Sequence, residues 1–123
     1  MKSRYKTYGH AKTRLMYHII FSTKFRRKCL TNIHDSVIEA FQYADKKSNF
    51  SILTMELDKD HIHLLVECKP RYSIEQVVNR LKQLTTNYLW KKHSDYLKKY
   101  YWKQKHILWT RGYFVETINK KDV

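Results

Sequence analysis

Between Asp58 and Glu67 the chain reads Asp-Lys-Asp-His-Ile-His-Leu-Leu-Val-Glu, and this run restricts the fold more than any other. Side chains alternate across a β-strand, so His61, His63, Leu65 and Glu67 share one face. Ile62, Leu64 and Val66 share the other and call for a core behind them. Two imidazoles at i and i+2 have Cβ atoms roughly 6–7 Å apart, close enough to converge on a single metal ion. The plain alternative is a pair of partly exposed histidines on the polar face of an antiparallel strand. Asp60 either orients a histidine through its second ring nitrogen or simply forms the turn. Glu67, on the same face as the histidines and beyond Leu65, reads as a solvated strand residue, with a metal role as the sharper option.

The charge narrows the class of partner. The 123 residues carry 25 Lys and Arg against 11 acids, a formal net charge of +14, which points to a polyanion such as nucleic acid. No acid precedes Asp35, and Asp95 is the sole acid between Arg80 and Lys105. A hydrophobic content of 42% supports an ordinary core, so this is not a disordered basic tail. The length suits one domain, residues 1–123. No apolar stretch is long enough for a membrane span, and no basic amphipathic helix leaves a bulky apolar face for a lipid surface. Cys29 and Cys68 lack metal or redox spacing and fit reduced thiols, which with the absence of a leader-like segment points to the cytoplasm.

Periodicity gives the order of elements. Leu15–Phe21 reads as a buried strand after a polar, basic arm over residues 1–11. A basic turn, Lys24-Phe25-Arg26-Arg27-Lys28, leads to a helix from about Asn32 to Lys47, with Ile33, Val37, Phe41 and Ala44 on one face. Phe50–Leu57 is a second strand, and Lys59-Asp60 turns it into the histidine strand. Ser73 and Gln76 form a capping box for a helix with Ile74, Val77, Val78, Leu81, Leu84 and Tyr88 toward the core and Arg80, Gln83, Asn87 and Lys91 away from it. Asp95–Trp102 reads as a further helical turn or two, and Ile107–Ile118 as the last strand. The order βαββαβ predicts an α+β, ferredoxin-like antiparallel sheet with helices on one face and the histidines on the open one.

Four stretches resemble the single-tyrosine HUH transposases, the TnpA-type enzymes of insertion sequences and their REP-associated relatives. They are Tyr17–Lys28, Asp58–Val66 with its His-Ile-His core, Leu81-Lys82, and Leu108–Thr117 with Gly-Tyr-Phe-Val-Glu-Thr at its end. The resemblance implies a DNA transposase active on single-stranded DNA with hairpins at the element ends, working as a homodimer. It implies that His61 and His63 hold Mg²⁺ or Mn²⁺ against the scissile phosphate, Mn²⁺ being the better match to imidazole. It also implies a tyrosine nucleophile forming a 5′-phosphotyrosine link, with a third metal ligand from a glutamine one turn later on a C-terminal helix. The sequence to Val123 holds no counterpart of that tyrosine or glutamine, so the expectation is a chain that binds without cleaving. Tyr113, inside the strand motif, is the weak substitute nucleophile. Lys24, Arg26, Arg27, Lys28, Arg80 and Lys82 are the expected DNA contacts, and the cytoplasmic site becomes a nucleoid-associated one.

Other candidates belong beside these. His18 reads as a hydrogen-bonded interior histidine or as a companion of His63 on the open face. The tract Lys98–Lys103 interleaves cations with aromatics, suited either to stacking unpaired bases or to an ordinary amphipathic helix. The alternative functions are a non-catalytic ferredoxin-like binding module, including an RNA binder, and a metal-dependent hydrolase. An RNA-binding sheet would carry aromatics where this one has His61 and His63. A hydrolase would need more acidic or histidine ligands on the open face.

Overall fold

The buried strand and the histidine strand lie side by side at the centre of one sheet. A computed structural model describes residues 14–103 and 106–118, so the expected N-terminal arm lies outside the described residues. The elements are β1 (Leu15–Ser22), α1 (His34–Lys46), β2 (Ser51–Leu57), β3 (His61–Cys68), α2 (Ile74–Lys98) and β4 (Phe114–Ile118). Short 3-10 turns at Lys24–Arg26 and Thr31–Ile33 bridge β1 to α1. The strand order is β2-β3-β1-β4, every pair antiparallel, which is the ferredoxin-like arrangement expected.

Burial follows the alternation. Ile19 and Phe21 of β1 and Ile62, Leu64 and Val66 of β3 are buried against Val37, Ala40, Phe41 and Ala44 of α1 and Val77, Val78, Leu81 and Leu89 of α2. Fully burying each aliphatic of β3 contributes about 1.5–3 kcal/mol. α2 starts where the capping box places it: Ser73 Oγ accepts from the Gln76 amide at 3.1 Å and Gln76 Oε1 from the Ser73 amide at 3.0 Å. It runs on through Lys98 across a distorted turn at His93, whose ring nitrogen meets Ser36 Oγ of α1 at 2.7 Å. The segment from Asp95 is therefore the end of α2 and not a separate helix. Lys92 reaches Glu39 at 2.7 Å, a second tie between the helices.

The last strand is shorter than the sequence suggests, because the residues before it are engaged elsewhere. The Trp90 indole donates to the Ile107 carbonyl at 2.8 Å. Trp109 is buried edge-on to Phe21, centroids 4.9 Å apart, and its indole donates to Thr85 Oγ1 at 3.0 Å. The carbonyls of Thr110, Arg111 and Gly112 all accept from Lys82 Nζ, at 2.7, 3.0 and 3.0 Å. With those acceptors taken, an isolated bridge between Thr23 and Trp109 precedes the ladder that starts at Phe114.

Phe21, Phe41 and Trp109 form an aromatic cluster joining sheet, α1 and this segment. Replacing fully buried Phe41 with alanine is expected to cost about 3–5 kcal/mol. The measure is the midpoint of urea unfolding at unchanged slope; a loss below about 1 kcal/mol would mean the cluster is not the centre of the core.

Candidate functional site

Strand alternation with Ile62 and Leu64 committed to the core brings His61 and His63 out on the open face, ring centroids 5.0 Å apart. β1 lies beside them, with Ile20 opposite His63 and Ser22 opposite His61. His18 shares the face, its ring 5.6 Å from that of His63. It is half-buried and stands in the open-face cluster, not in the interior. Across the sheet, Glu56 of β2 stands opposite His63 and Glu116 of β4 opposite His18.

A chain of hydrogen bonds fixes His61. Its Nδ1 is 2.8 Å from Asp60 Oδ1, and the second carboxylate oxygen accepts from Arg26 Nε at 3.1 Å. Arg26 Nη1 in turn donates to Ser22 Oγ at 2.9 Å. The hydrogen bond from His61, reinforced by the Arg26 charge, holds the Asp60 carboxyl below the usual aspartate range. An ionised carboxylate only accepts, so the hydrogen of neutral His61 sits on Nδ1 and the Nε2 lone pair is left to serve as a ligand. Asp60 thus does more than form the turn. Asp58 Oδ2 is 3.8 Å from His61 Nε2, too far for a hydrogen bond.

The backbone that carries Arg26 is held in an uncommon conformation. Phe25 and Arg26 have φ of 61° and 52°, a left-handed pair without glycine. Thr23 Oγ1 donates to the Arg27 carbonyl at 2.7 Å, Lys24 N to the Leu108 carbonyl at 2.7 Å, and Tyr101 Oη to the Lys24 carbonyl at 2.8 Å. These bonds brace the turn from both sides. The exposed cations Arg27 and Lys28 sit on it beside Lys24.

Several expected site residues have other tasks. Lys82 points its ammonium at three carbonyls before β4, where burial pushes its pKa down, so it pins the loop that leads into β4. Arg80 donates to Ser48 Oγ at 2.8 Å and to the Lys47 carbonyl, clamping the α1–β2 connection. Glu67 is 1% exposed and faces Arg14 at 4.0 Å; it is a buried ion-pair partner and not a solvated strand residue. Tyr113 shares the parity of core-facing Val115 and lies under Lys82, Nζ 5.7 Å from its ring centre, on the helix side of the sheet. It does not join His61 and His63. Among the described residues no group of three or more His, Cys, Asp or Glu side chains is gathered closely enough to hold a metal ion.

Residues 11–123 match the family described as IS200-like transposases. The chain belongs to that family. It is 29% identical over 116 residues to the transposase for insertion sequence element IS200 of Salmonella typhimurium, covering 94% of this chain and 74% of that protein. It is 26% identical over 107 residues to the ISDra2 transposase TnpA of Deinococcus radiodurans, covering 86% and 74%. Among solved structures, a Deinococcus radiodurans protein described as a transposase superposes with a TM-score of 0.79 at 24% identity, covering 94% of this chain and 88% of the other. A REP-associated tyrosine transposase bound to a REP hairpin superposes at 0.61 and 16% identity, covering 96% and 66%, and shares the fold.

For an IS200-like transposase the link from Arg26 to His61 was the part least visible in the sequence. Nothing in Lys24–Lys28 announces a left-handed Phe-Arg pair, and a lone arginine in a basic run reads as a phosphate contact. Replacing Asp60 with alanine should remove the Nδ1 preference of His61 and populate both tautomers. Long-range ¹H–¹⁵N NMR of the ring reads this directly; an unchanged Nδ1–H signal would show that Asp60 does not govern the histidine.

Proposed function

We propose that this chain recognises single-stranded DNA carrying a hairpin, with its basic turn on the phosphates and the His61–His63 pair at the reacting phosphate. The observation that supports this most is the Arg26–Asp60–His61 chain, which joins a cationic turn to a ligand-competent histidine on the open face of a transposase sheet. The fold neighbour bound to a REP hairpin supports the hairpin as substrate form. His61 Nε2 and a ring nitrogen of His63 fit Mn²⁺ or Mg²⁺ as two donors, leaving the remaining positions to phosphate oxygens, water and other ligands. The chemistry such an ion supplies is Lewis-acid polarisation of the phosphate. Asp60 holds the His61 ring in orientation, and Arg26 holds Asp60.

In the full reaction a tyrosine attacks phosphorus and stays linked to the 5′-phosphate while a 3′-hydroxyl leaves; the reverse step rejoins strands. Among the described tyrosines, Tyr113 lies on the helix side of the sheet and Tyr101 in the core, away from the histidine face, so neither is read as the nucleophile and the described residues are read as a DNA-binding surface. A homodimer acting on nucleoid DNA in the cytoplasm completes the proposal, in keeping with the lack, among the described residues, of a helix long and apolar enough to cross a membrane.

Affinity for a hairpin with a single-stranded flank should fall with salt, at a log–log slope of about −0.7 to −0.9 per phosphate contact. Arg27→Ala with Lys28→Ala should shallow that slope by about one to two contacts. Arg80→Gln should leave it unchanged, since that guanidinium already binds Ser48 and the Lys47 carbonyl. A slope insensitive to Arg27 and Lys28 would sink the assignment of the turn.

Incubation of the 123-residue chain with a 5′-labelled strand and Mn²⁺ should give no covalent protein–DNA band on denaturing electrophoresis. Isothermal titration should nonetheless register Mn²⁺ binding that His61→Ala and His63→Ala remove. A band that Tyr113→Phe abolishes would locate the nucleophile on the helix side and overturn this reading.

A further inference from the structure

Two large aromatic side chains stand exposed at the basic turn and beside it. Phe25 is 65% exposed and Trp102 is 69% exposed, while Trp90 and Trp109 are buried. Phe25 is held outward by the left-handed backbone at Phe25 and Arg26, a strained conformation that persists where surrounding bonds impose it. Those bonds are on Thr23, Lys24 and Arg27, and one donor is Tyr101, the buried neighbour of Trp102. Tyr101 therefore ties both aromatics to one support. Between them lies a cavity of about 120 Å³ lined by Phe25, Arg27, Tyr100, Tyr101, Trp102 and Lys103.

Each ring has cations beside it. Lys24 Nζ and the Arg27 guanidinium are 5.7 and 5.8 Å from the centre of Phe25, and Lys103 Nζ is 4.8 Å from that of Trp102. An apolar protein partner would have to desolvate this cationic rim without compensating it. An unpaired nucleobase satisfies both halves of the surface: its face stacks on a ring and its flanking phosphates meet the cations. We propose that Phe25 and Trp102 form a stacking site for an unpaired base of single-stranded DNA, gripped by Lys24, Arg27 and Lys103. The inference rests on the DNA-binding reading above and adds a base-contacting site distinct from the histidines. One turn then carries two tasks, since Phe25 faces the bound base while the next residue, Arg26, faces Asp60 and through it His61.

The test uses the whole chain, a short oligothymidylate, and an abasic deoxyribose-phosphate strand of equal length. Oligothymidylate should quench the exposed Trp102, and the abasic strand should not. Phe25→Ala and Trp102→Ala should each weaken oligothymidylate binding about tenfold, with less than about a twofold effect on the abasic strand and no change in salt slope. Both side chains are exposed, so circular dichroism of each variant should match the parent. Equal losses on both strands, or none on either, would overturn the stacking site while leaving salt-dependent DNA binding intact. Failure of the parent chain to bind any strand would overturn this inference and the DNA reading together.

Discussion

Strand β3 sets the position of everything else because its two faces have incompatible requirements. Ile62, Leu64 and Val66 are wholly buried, whereas His61 and His63 keep access to the open face. A slip of one residue would exchange them, burying two imidazoles without partners and exposing three aliphatics. Losing the aliphatic burial alone would cost several kcal/mol, so the register that aims the histidines is enforced by the core and needs no contribution from any ligand. The neighbouring strand inherits the constraint: Ile20 and Ser22 face the histidines because Ile19 and Phe21 face α1 and α2.

The Arg26–Asp60–His61 chain adds precision that the sheet by itself does not supply. Strand geometry fixes where a histidine's Cβ lies but leaves its ring free to rotate and to choose a tautomer. Asp60 removes both freedoms for His61, and Arg26 with Ser22 removes the freedom of Asp60. The cost is borne by the backbone of the turn, where two residues with side chains adopt positive φ. Tyr101 and Thr23 hold that conformation from the protein side, with Tyr101 anchored in the core. Charge and conformation at the turn are thus coupled to the histidine through short, directional bonds.

The fold was legible wherever it rests on local period. The alternation in β3, the Ser73–Gln76 capping box and the stripe on α2 each predicted what the chain does, because a single element's own residues decide them. The end of the chain was less legible. Residues 107–113 have the composition of a strand, but Trp109 is drawn into the core and three successive carbonyls turn to Lys82 on a distant helix. Those are long-range competitors for backbone acceptors, and no pattern within the segment signals them. The histidine pair was readable for the same reason as its strand, while the Arg26 contact depends on a backbone conformation that residue type does not announce.

Charge shows the same division between what composition states and what position decides. A net charge of +14 identifies the class of partner without identifying the contacts. Arg80 and Lys82 lie on the long helix in the second basic zone of the chain, and both donate to protein acceptors that tie connections between elements, Arg80 from an exposed position. Lys24, Arg27 and Lys28 occupy a strained turn whose backbone acceptors are already engaged, and their charges remain at the surface. A cation that finds several carbonyl acceptors becomes part of the scaffold, because its desolvation is then offset by hydrogen bonds. One that finds an exposed aromatic ring instead stays available to a polyanion, and this chain gathers such cations around Phe25 and Trp102, next to the residue that holds the histidine site in place.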